Sequence, residues 1–218
     1  LFGGVLRDLA IFGPAAQPRD IDVVVTGVSE ALLFATLQPF VQRRTRFGGL
    51  QLSSAGVEVD LWPLESTWGL THLRIFRPSF ADLPNTTFLD IEAVVAGVPL
   101  RGQEPGPFHE AGFFDSIERR TIDINLEANP YPLLCLAKSL NLASRLGFSI
   151  GPGLSQFAYD LLSTVKDADL AVAHAGVHSG AACNSCLYRG WREMINKFGP
   201  GQVVPPPTIS QKLAMRGL

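Results

Sequence analysis

The sequence predicts a mixed α/β fold over residues 1–125, followed by a helical region. Three observations carry this. The run "DIDVVV" at residues 20–25 is rich in β-branched residues and lies between two stretches with helical spacing. "GLQLSSAGVEVDLWPL" reads as two strands around the turn "SSAG". Beyond about residue 130 the texture changes to apolar residues at three- and four-residue spacing. With 21 glycines and 16 prolines in 218 residues, many turns are expected rather than a long bundle, and 46% hydrophobic residues can fill a core.

In chain order, "LFGG" ends a buried element and turns. "VLRDLAIFG" then has helical spacing, with Val5, Leu6, Leu9 and Ala10 apolar and Arg7 and Asp8 polar. "GPAAQPR" is a loop, and "DIDVVVTG" a strand ended by Gly27. "SEALLFATLQPFVQRR" is expected to be one amphipathic helix capped by Ser29. "TTFLDIEAVVAGVPLRG" is expected to hold a second strand pair. "YPLLCLAKSLNLASRLGFSI" is a helix stopped by Gly147, and "GLSQFAYDLLSTVKDADLAVAHA" continues helical. "GPGQVVPPPTISQKLAMRGL" is expected to wrap the surface or to be poorly ordered. These elements divide into a domain at 1–125, a helical region at 126–200 and a Pro-rich tail at 201–218.

A net charge of −2 argues against broad nucleic-acid binding through a basic surface, while leaving room for a local patch. No stretch approaches 18 consecutive apolar residues, so no membrane span is expected. The apolar start carries no basic leader, and the chain opens inside an element, so a preceding segment is expected. Three cysteines fit a reducing cytoplasm better than a disulfide framework.

The chemistry concentrates near the start. Asp20 and Asp22 are spaced i, i+2, which on a strand puts both carboxylates on one face about 7 Å apart. Like charges so placed repel unless a cation bridges them. Mg²⁺ suits such a site, taking one or two carboxylates together with substrate phosphates. In "VEVDLWP", Glu58 and Asp60 share one face, and Asp60 would complete a three-carboxylate site if that strand pairs beside "DIDVVV". Such a site can hold two metals about 3.5–4 Å apart. Gly3 and Gly4, directly before a helix, would let backbone N–H groups approach phosphate closely.

"GGVLRDLAIFGPAAQPRDIDVVV" resembles the head of the class II tRNA nucleotidyltransferases and bacterial poly(A) polymerases, which carry a GG-x-V-R-D helix start and a D-x-D strand. "VEVDLWPLEST" is similar to the strand that carries the third metal carboxylate in the wider superfamily, at Asp60. "LDIEAVV" resembles the hairpin motif, with Glu92 where the family has asparagine and Thr86 and Thr87 in place of a basic pair. "NPYPLLCLAKSLNLASRLGFSI" is similar to the neck helix ending in L-G-F, matched at Leu146, Gly147 and Phe148. Lys138 stands at one neck-arginine position, and Cys135 and Asn141 at two others.

The resemblance implies a polymerase-β-type nucleotidyltransferase fold with a mixed sheet and flanking helices, followed by a helical neck-like region. It implies metal-dependent transfer of a nucleoside monophosphate from an NTP, such as ATP, to an acceptor, with an RNA 3′ end suggested. Asp20, Asp22 and Asp60 would be the catalytic and Mg²⁺-binding residues, in a two-metal site. Gly3, Gly4, Arg7 and Lys138 would bind the nucleotide. For Arg7 the other reading is a surface salt bridge with Asp8; for Lys138 it is a solvated helix face. Two other functions stay open: a catalytically decayed nucleotide- or RNA-binding protein, and a nucleotidyltransferase acting on a small molecule or a protein.

Other features are read in two ways. His174, His178, Cys183 and Cys186 have spacings that suit structural zinc, against buried thiols and surface histidines. Arg43, Arg44 and Arg46, with Arg119 and Arg120, are either a solvated face or contacts to an RNA acceptor. Trp62 and Trp68 either stack a base or pack at a strand end.

Overall fold

The structure is a computed structural model that describes residues 1–18, 20–54, 56–99, 104, 106–175 and 185–208. The chain divides into two compact units, Leu1–Phe114 and Asp115–Leu218.

The first unit opens with helix α1 (Gly4–Phe12), then strand β1 (Asp20–Val25) and helix α2 (Glu30–Leu37). Strands β2 (Val41–Arg44), β3 (Leu50–Ser54) and β4 (Val57–Pro63) follow, then the short helix α3 (Trp68–His72). A small hairpin, β5 (Val94–Ala96) with β6 (Phe108–Glu110), completes the unit. The main sheet runs β1-β4-β3-β2. β1 pairs parallel with β4, and the remaining pairs are antiparallel. The predicted mixed α/β architecture is therefore present, with β4 in the central place the expected carboxylate site requires. A core of Val24, Leu64, Leu70, Leu83 and Val95 lies under the sheet, with Phe2, Trp62, Ile75 and Phe80 packed against it.

Three local expectations are corrected. "SEALLFATLQPFVQRR" is not one helix: α2 is capped as expected by Ser29 Oγ, which accepts from Leu32 N at 3.2 Å, but it stops at Leu37. Pro39 cannot continue the ladder, and the chain passes through a 3-10 turn into β2. Among its described residues, "TTFLDIEAVVAGVPLRG" shows no strand pairing within itself. The Asp90 carboxylate accepts from Ile91 N at 2.7 Å, a local bond that favours a 3-10 turn over a strand, and β5 finds its partner in β6. The third correction concerns α1, where Arg7 and Asp8 are buried while Leu9 is 44% exposed.

Helix α4 (Phe113–Arg119) straddles the division between the units. The second unit carries β7 (Thr121–Ile122) parallel to β8 (Ser149–Ile150), and helices α5 (Pro132–Leu146), α6 (Pro152–Leu162), α7 (Asp167–Ala175) and α8 (Ser185–Phe198). Gly147 ends α5 in the left-handed conformation, φ 64°, as the sequence predicts. The stretch after it, expected to continue helical, forms the two helices α6 and α7. Ser163 and Thr164 hydroxyls donate to the carbonyls of Asp160 and Leu161 and close α6. The Arg192 side chain then donates to the Leu162 and Val165 carbonyls and pairs with Asp167 at 2.7 Å. Asp123 takes the N–H groups of Gly153 and Leu154, capping the start of α6. In the tail, Val204 is buried and bridges to Ile150.

Trp191 and Tyr188 of α8 are fully buried. Trp191 Nε1 donates to Leu140 O at 3.0 Å and to Ser144 Oγ at 2.8 Å. The Tyr188 hydroxyl has no hydrogen-bond partner among the described residues, and burial pushes its pKa up to about 12. An unfolded tyrosine titrates near 10. Between about pH 10 and 12 the unfolded chain has therefore lost a proton that the native state keeps, and stability falls as pH rises through that window. Tyr188→Phe is expected to abolish this alkaline loss, roughly 2–3 kcal/mol at full extent. It is also expected to be neutral or stabilising by about 1 kcal/mol at pH 8, since it removes an unsatisfied buried hydroxyl. Urea unfolding of both proteins at pH 8 and pH 11 measures this.

Candidate active site

The site is built on two neighbouring strands. In the register of β1 with β4, Asp22 lies opposite Asp60 and Asp20 opposite Glu58. Side chains alternate along a strand, so these four acidic residues share one face of the sheet. Asp20, Asp22 and Asp60 are half-buried, whereas Glu58 is exposed. One oxygen of Asp60, Oδ1, is sealed from solvent without a hydrogen bond, while the residue makes other contacts.

Among the described residues, no group of three or more His, Cys, Asp or Glu side chains is gathered closely enough to hold a metal ion. In the register, Asp22 and Asp60 are direct cross-strand neighbours, and Asp20 lies two residues along the same face of β1. In chemistry and number the pair fits Mg²⁺, which takes one or two carboxylates and completes its shell with water and phosphate oxygens.

The glycine turn is fastened to the same place. Phe2 N donates to Asp22 O at 3.1 Å, and Gly3 N to Val94 O at 3.0 Å, so the turn is tied to both β1 and β5. Gly3 has φ 65° and ψ −125°, a backbone region open essentially to glycine alone. A Cβ there would lie 4.0 Å from Asp22 Oδ2 and 3.8 Å from Glu92 O. Gly3 O then accepts from Leu6 N and Arg7 N as α1 begins. A methyl group at Gly3 would thus sit in van der Waals contact with the Asp22 carboxylate, so the turn and the acid are close neighbours.

Beneath the turn lies Arg7, 7% exposed. Its Nε donates to Asp8 Oδ1 at 2.8 Å, and its Nη1 to Glu92 Oε1. Burial works to lower the Arg7 pKa, but the charges of Glu92 and Asp8, together with their hydrogen bonds, outweigh it and hold the guanidinium above its usual value. A Cβ on Gly4 would lie 3.4 Å from Arg7 Nη2, so the guanidinium also backs the turn. The salt bridge with Asp8 thus exists, but inside the protein rather than on its surface. Glu92 as a second partner is a residue that sequence reasoning did not place here. The signal was only the acid at a position where the resembled motif carries asparagine.

The remaining candidates are placed as follows. Trp62 packs against the core, edge-on to Phe2 at 6.2 Å, with Nε1 donating to Thr67 Oγ1 at 2.9 Å. Trp68 stacks with His72 at 5.0 Å. Arg43 and Arg44 lie on the exposed edge strand β2, paired with Gln51 and stacked on Phe34. Arg119 pairs with Asp115, and Arg120 lies over Phe148. Lys138 is exposed on α5 of the second unit. Of the zinc candidates, His174 is buried on α7 and Cys186 exposed on α8, while His178 and Cys183 lie outside the described residues. The second unit also has a groove of about 480 Å³ lined by Glu127, Gln156, Phe157 and Asp160, among others, and none of the sequence-predicted site residues borders it. No helix of the described residues is long and apolar enough to cross a membrane.

The chain, with its mixed β1-β4-β3-β2 sheet and the helical unit that follows, is similar in fold to solved structures of a tRNA nucleotidyltransferase and of CCA-adding enzymes. A tRNA nucleotidyltransferase complexed with a primer tRNA and an incoming ATP analogue matches with TM-score 0.58 and 18% identity over 88% of this chain and 57% of its own. A CCA-adding enzyme with ATP matches with TM-score 0.59 and 16% identity over 90% of this chain and 46% of its own. A tRNA-processing enzyme with CTP gives TM-score 0.59 and 17% identity over 89% and 52%. These identities establish a common fold, and the chain spans about half the length of the structures it matches. No family model matches the chain, and no curated protein does.

Proposed function

We propose that the chain is a metal-dependent nucleotidyltransferase. The observation that carries this is the Asp22–Asp60 pair on adjacent strands, with the Gly3 turn fastened against Asp22. On this reading the Gly3–Gly4 backbone receives the triphosphate of an NTP such as ATP, and Asp22 and Asp60 are the first ligands for Mg²⁺, with Asp20 on the same face joining them when metal and nucleotide bind. Mg²⁺, when bound, neutralises phosphate charge and steadies the leaving pyrophosphate. Asp60 takes the proton of the acceptor hydroxyl as its oxygen attacks the α-phosphorus and the bond to the bridging oxygen breaks. Catalysis is then mostly positioning and charge neutralisation. The fold supports an RNA 3′ end as acceptor.

Incubation with α-labelled NTPs, Mg²⁺ and candidate RNAs, proteins and small acceptors tests the proposal. Transfer of label with release of pyrophosphate is expected. Absence of both transfer and NTP binding would overturn it. One observation favours a second reading, a nucleotide-binding protein without turnover: Arg7 is held between Asp8 and Glu92. NTP binding that survives Asp22→Ala in a protein that transfers nothing would select that reading.

A further inference from the structure

The loop after α3 displays a phenylalanine in an unusual setting. Residues 73–78 read Leu-Arg-Ile-Phe-Arg-Pro. Ile75 turns inward against the core, and its N–H donates to Leu70 O at 3.0 Å. Phe80, five residues on, packs against the same core. Between these two anchors Phe76 is 93% exposed, more than any other large apolar residue described. Hiding a phenylalanine typically gains about 1.5–3 kcal/mol, and here the backbone forgoes it. Arg74 takes φ 56°, a conformation uncommon outside glycine and asparagine, and sets the turn that sends Ile75 in and Phe76 out.

The loop also carries charge: of its six residues two are arginines, beside the partly exposed Leu73. Arg74 and Arg77 lie either side of Phe76 in sequence, both exposed, and neither makes a side-chain hydrogen bond or ion pair among the described residues. The nearest acid along the chain, Asp82, is turned into the following 3-10 segment, where it accepts from Ser79 N and Ser79 Oγ at 2.8 Å. Trp68, on the helix before the loop, already has His72 stacked on it. The loop therefore offers one open ring and, within two residues of it in sequence, two exposed guanidinium groups, on a chain whose net charge is −2.

We propose that residues 73–78 form a stacking platform for single-stranded nucleic acid, with Phe76 taking the face of one base and Arg74 and Arg77 the phosphates beside it. Base–aromatic stacking tolerates any sequence, and flanking cations track the backbone. A protein partner would be expected to use the centre of a packed apolar patch. Phe76 instead is followed by Arg77 and has Arg74 two residues before it, both exposed. The proposal deepens the nucleotidyltransferase reading by naming a single strand as the acceptor, and rests on that reading in this respect alone.

The test is fluorescence anisotropy with a labelled, unstructured oligoribonucleotide and the whole chain, without NTP or Mg²⁺, over a salt series. Phe76→Ala is expected to weaken binding by about 5- to 150-fold, the range for losing one stacked base, and Phe76→Trp to preserve it. Arg74→Ala with Arg77→Ala is expected to reduce the slope of log K against log salt by about 1.4, or about 0.7 for each single-strand phosphate no longer neutralised. An unchanged melting temperature is expected for each variant, since all three side chains are exposed. Failure of the parent to bind, or equal binding by Phe76→Ala, overturns the proposal. Mg²⁺–NTP binding, measured separately without oligonucleotide, keeps the two readings apart. Nucleotide binding with Phe76-independent oligonucleotide binding sinks the platform and leaves the transferase. Phe76-dependent oligonucleotide binding without nucleotide binding supports the platform and sinks the transferase.

Discussion

Asp22→Asn and Asp60→Asn are each expected to lower nucleotidyl transfer by about 10²–10³-fold, the scale for removing one preorganised charge-stabilising group, without lowering the melting temperature. The two halves of this expectation come from the same geometry. Asp22 and Asp60 are register partners on adjacent parallel strands, so two carboxylates share one face at neighbouring positions. Like charges placed across strands destabilise a sheet. Neutralising either one relieves that repulsion, so the variants should melt at the parent's temperature or above it. A residue retained for packing behaves the opposite way, and a residue retained for chemistry against the interest of stability behaves as described. Glu58 is the internal control. It shares the face and the charge but is exposed and lies opposite Asp20 rather than in the close pair. Glu58→Gln is expected to leave transfer within a few-fold of the parent. Initial rates with saturating Mg²⁺ and NTP, with melting curves on the same preparations, measure all three. A fall in melting temperature that parallels the fall in rate would assign the pair to the fold instead.

What could be read from the sequence follows from which forces are local. β1 was legible because "DIDVVV" combines β-branched residues with a terminating glycine, and both are properties of neighbours in the chain. The i, i+2 spacing of Asp20 and Asp22 put them on one face for the same reason. The pairing of Asp22 with Asp60 was different, because register between strands 38 residues apart is set by which apolar residues meet in the core. The sequence could state the condition but not meet it. The failures have the same origin. Arg7 and Asp8 look like the wet side of α1, since polarity alone does not reveal that Glu92, far along the chain, completes a buried ion pair. The strand at Val41–Arg44 was hidden because its residues continue a helical pattern, and Pro39 is the one signal against it. β6 was missed because a three-residue strand has too little pattern to announce itself.

Arg7→Ala is expected to destabilise the protein by about 3 kcal/mol or more, and Glu92→Gln by about 1 kcal/mol or less, although both break the same ion pair. The asymmetry is a matter of solvent. Arg7 is 7% exposed and Asp8 5%, so removing the guanidinium takes the intervening cation from between carboxylates, one of which is itself buried. The Glu92 side chain is 34% exposed, and Arg7 keeps Asp8 when Glu92 is neutralised. Charge counting carries the comparison into function. One guanidinium faces two carboxylates directly behind the glycine turn, a local net charge of −1 where the triphosphate is proposed to lie. Glu92→Gln removes that excess, so Kd for the NTP is expected to fall several-fold while stability barely changes. Arg7→Ala adds to the excess, and nucleotide binding should weaken along with the fold. A double-mutant cycle in urea, with NTP titrations of each folded variant at low and at high salt, separates the two effects. The nucleotide effect of Glu92→Gln should shrink with salt, because Glu92 is the solvent-facing member of the set. Equal destabilisation by the two single substitutions would contradict the asymmetry. NTP affinity unchanged in Glu92→Gln would place the triphosphate away from the Gly3 turn.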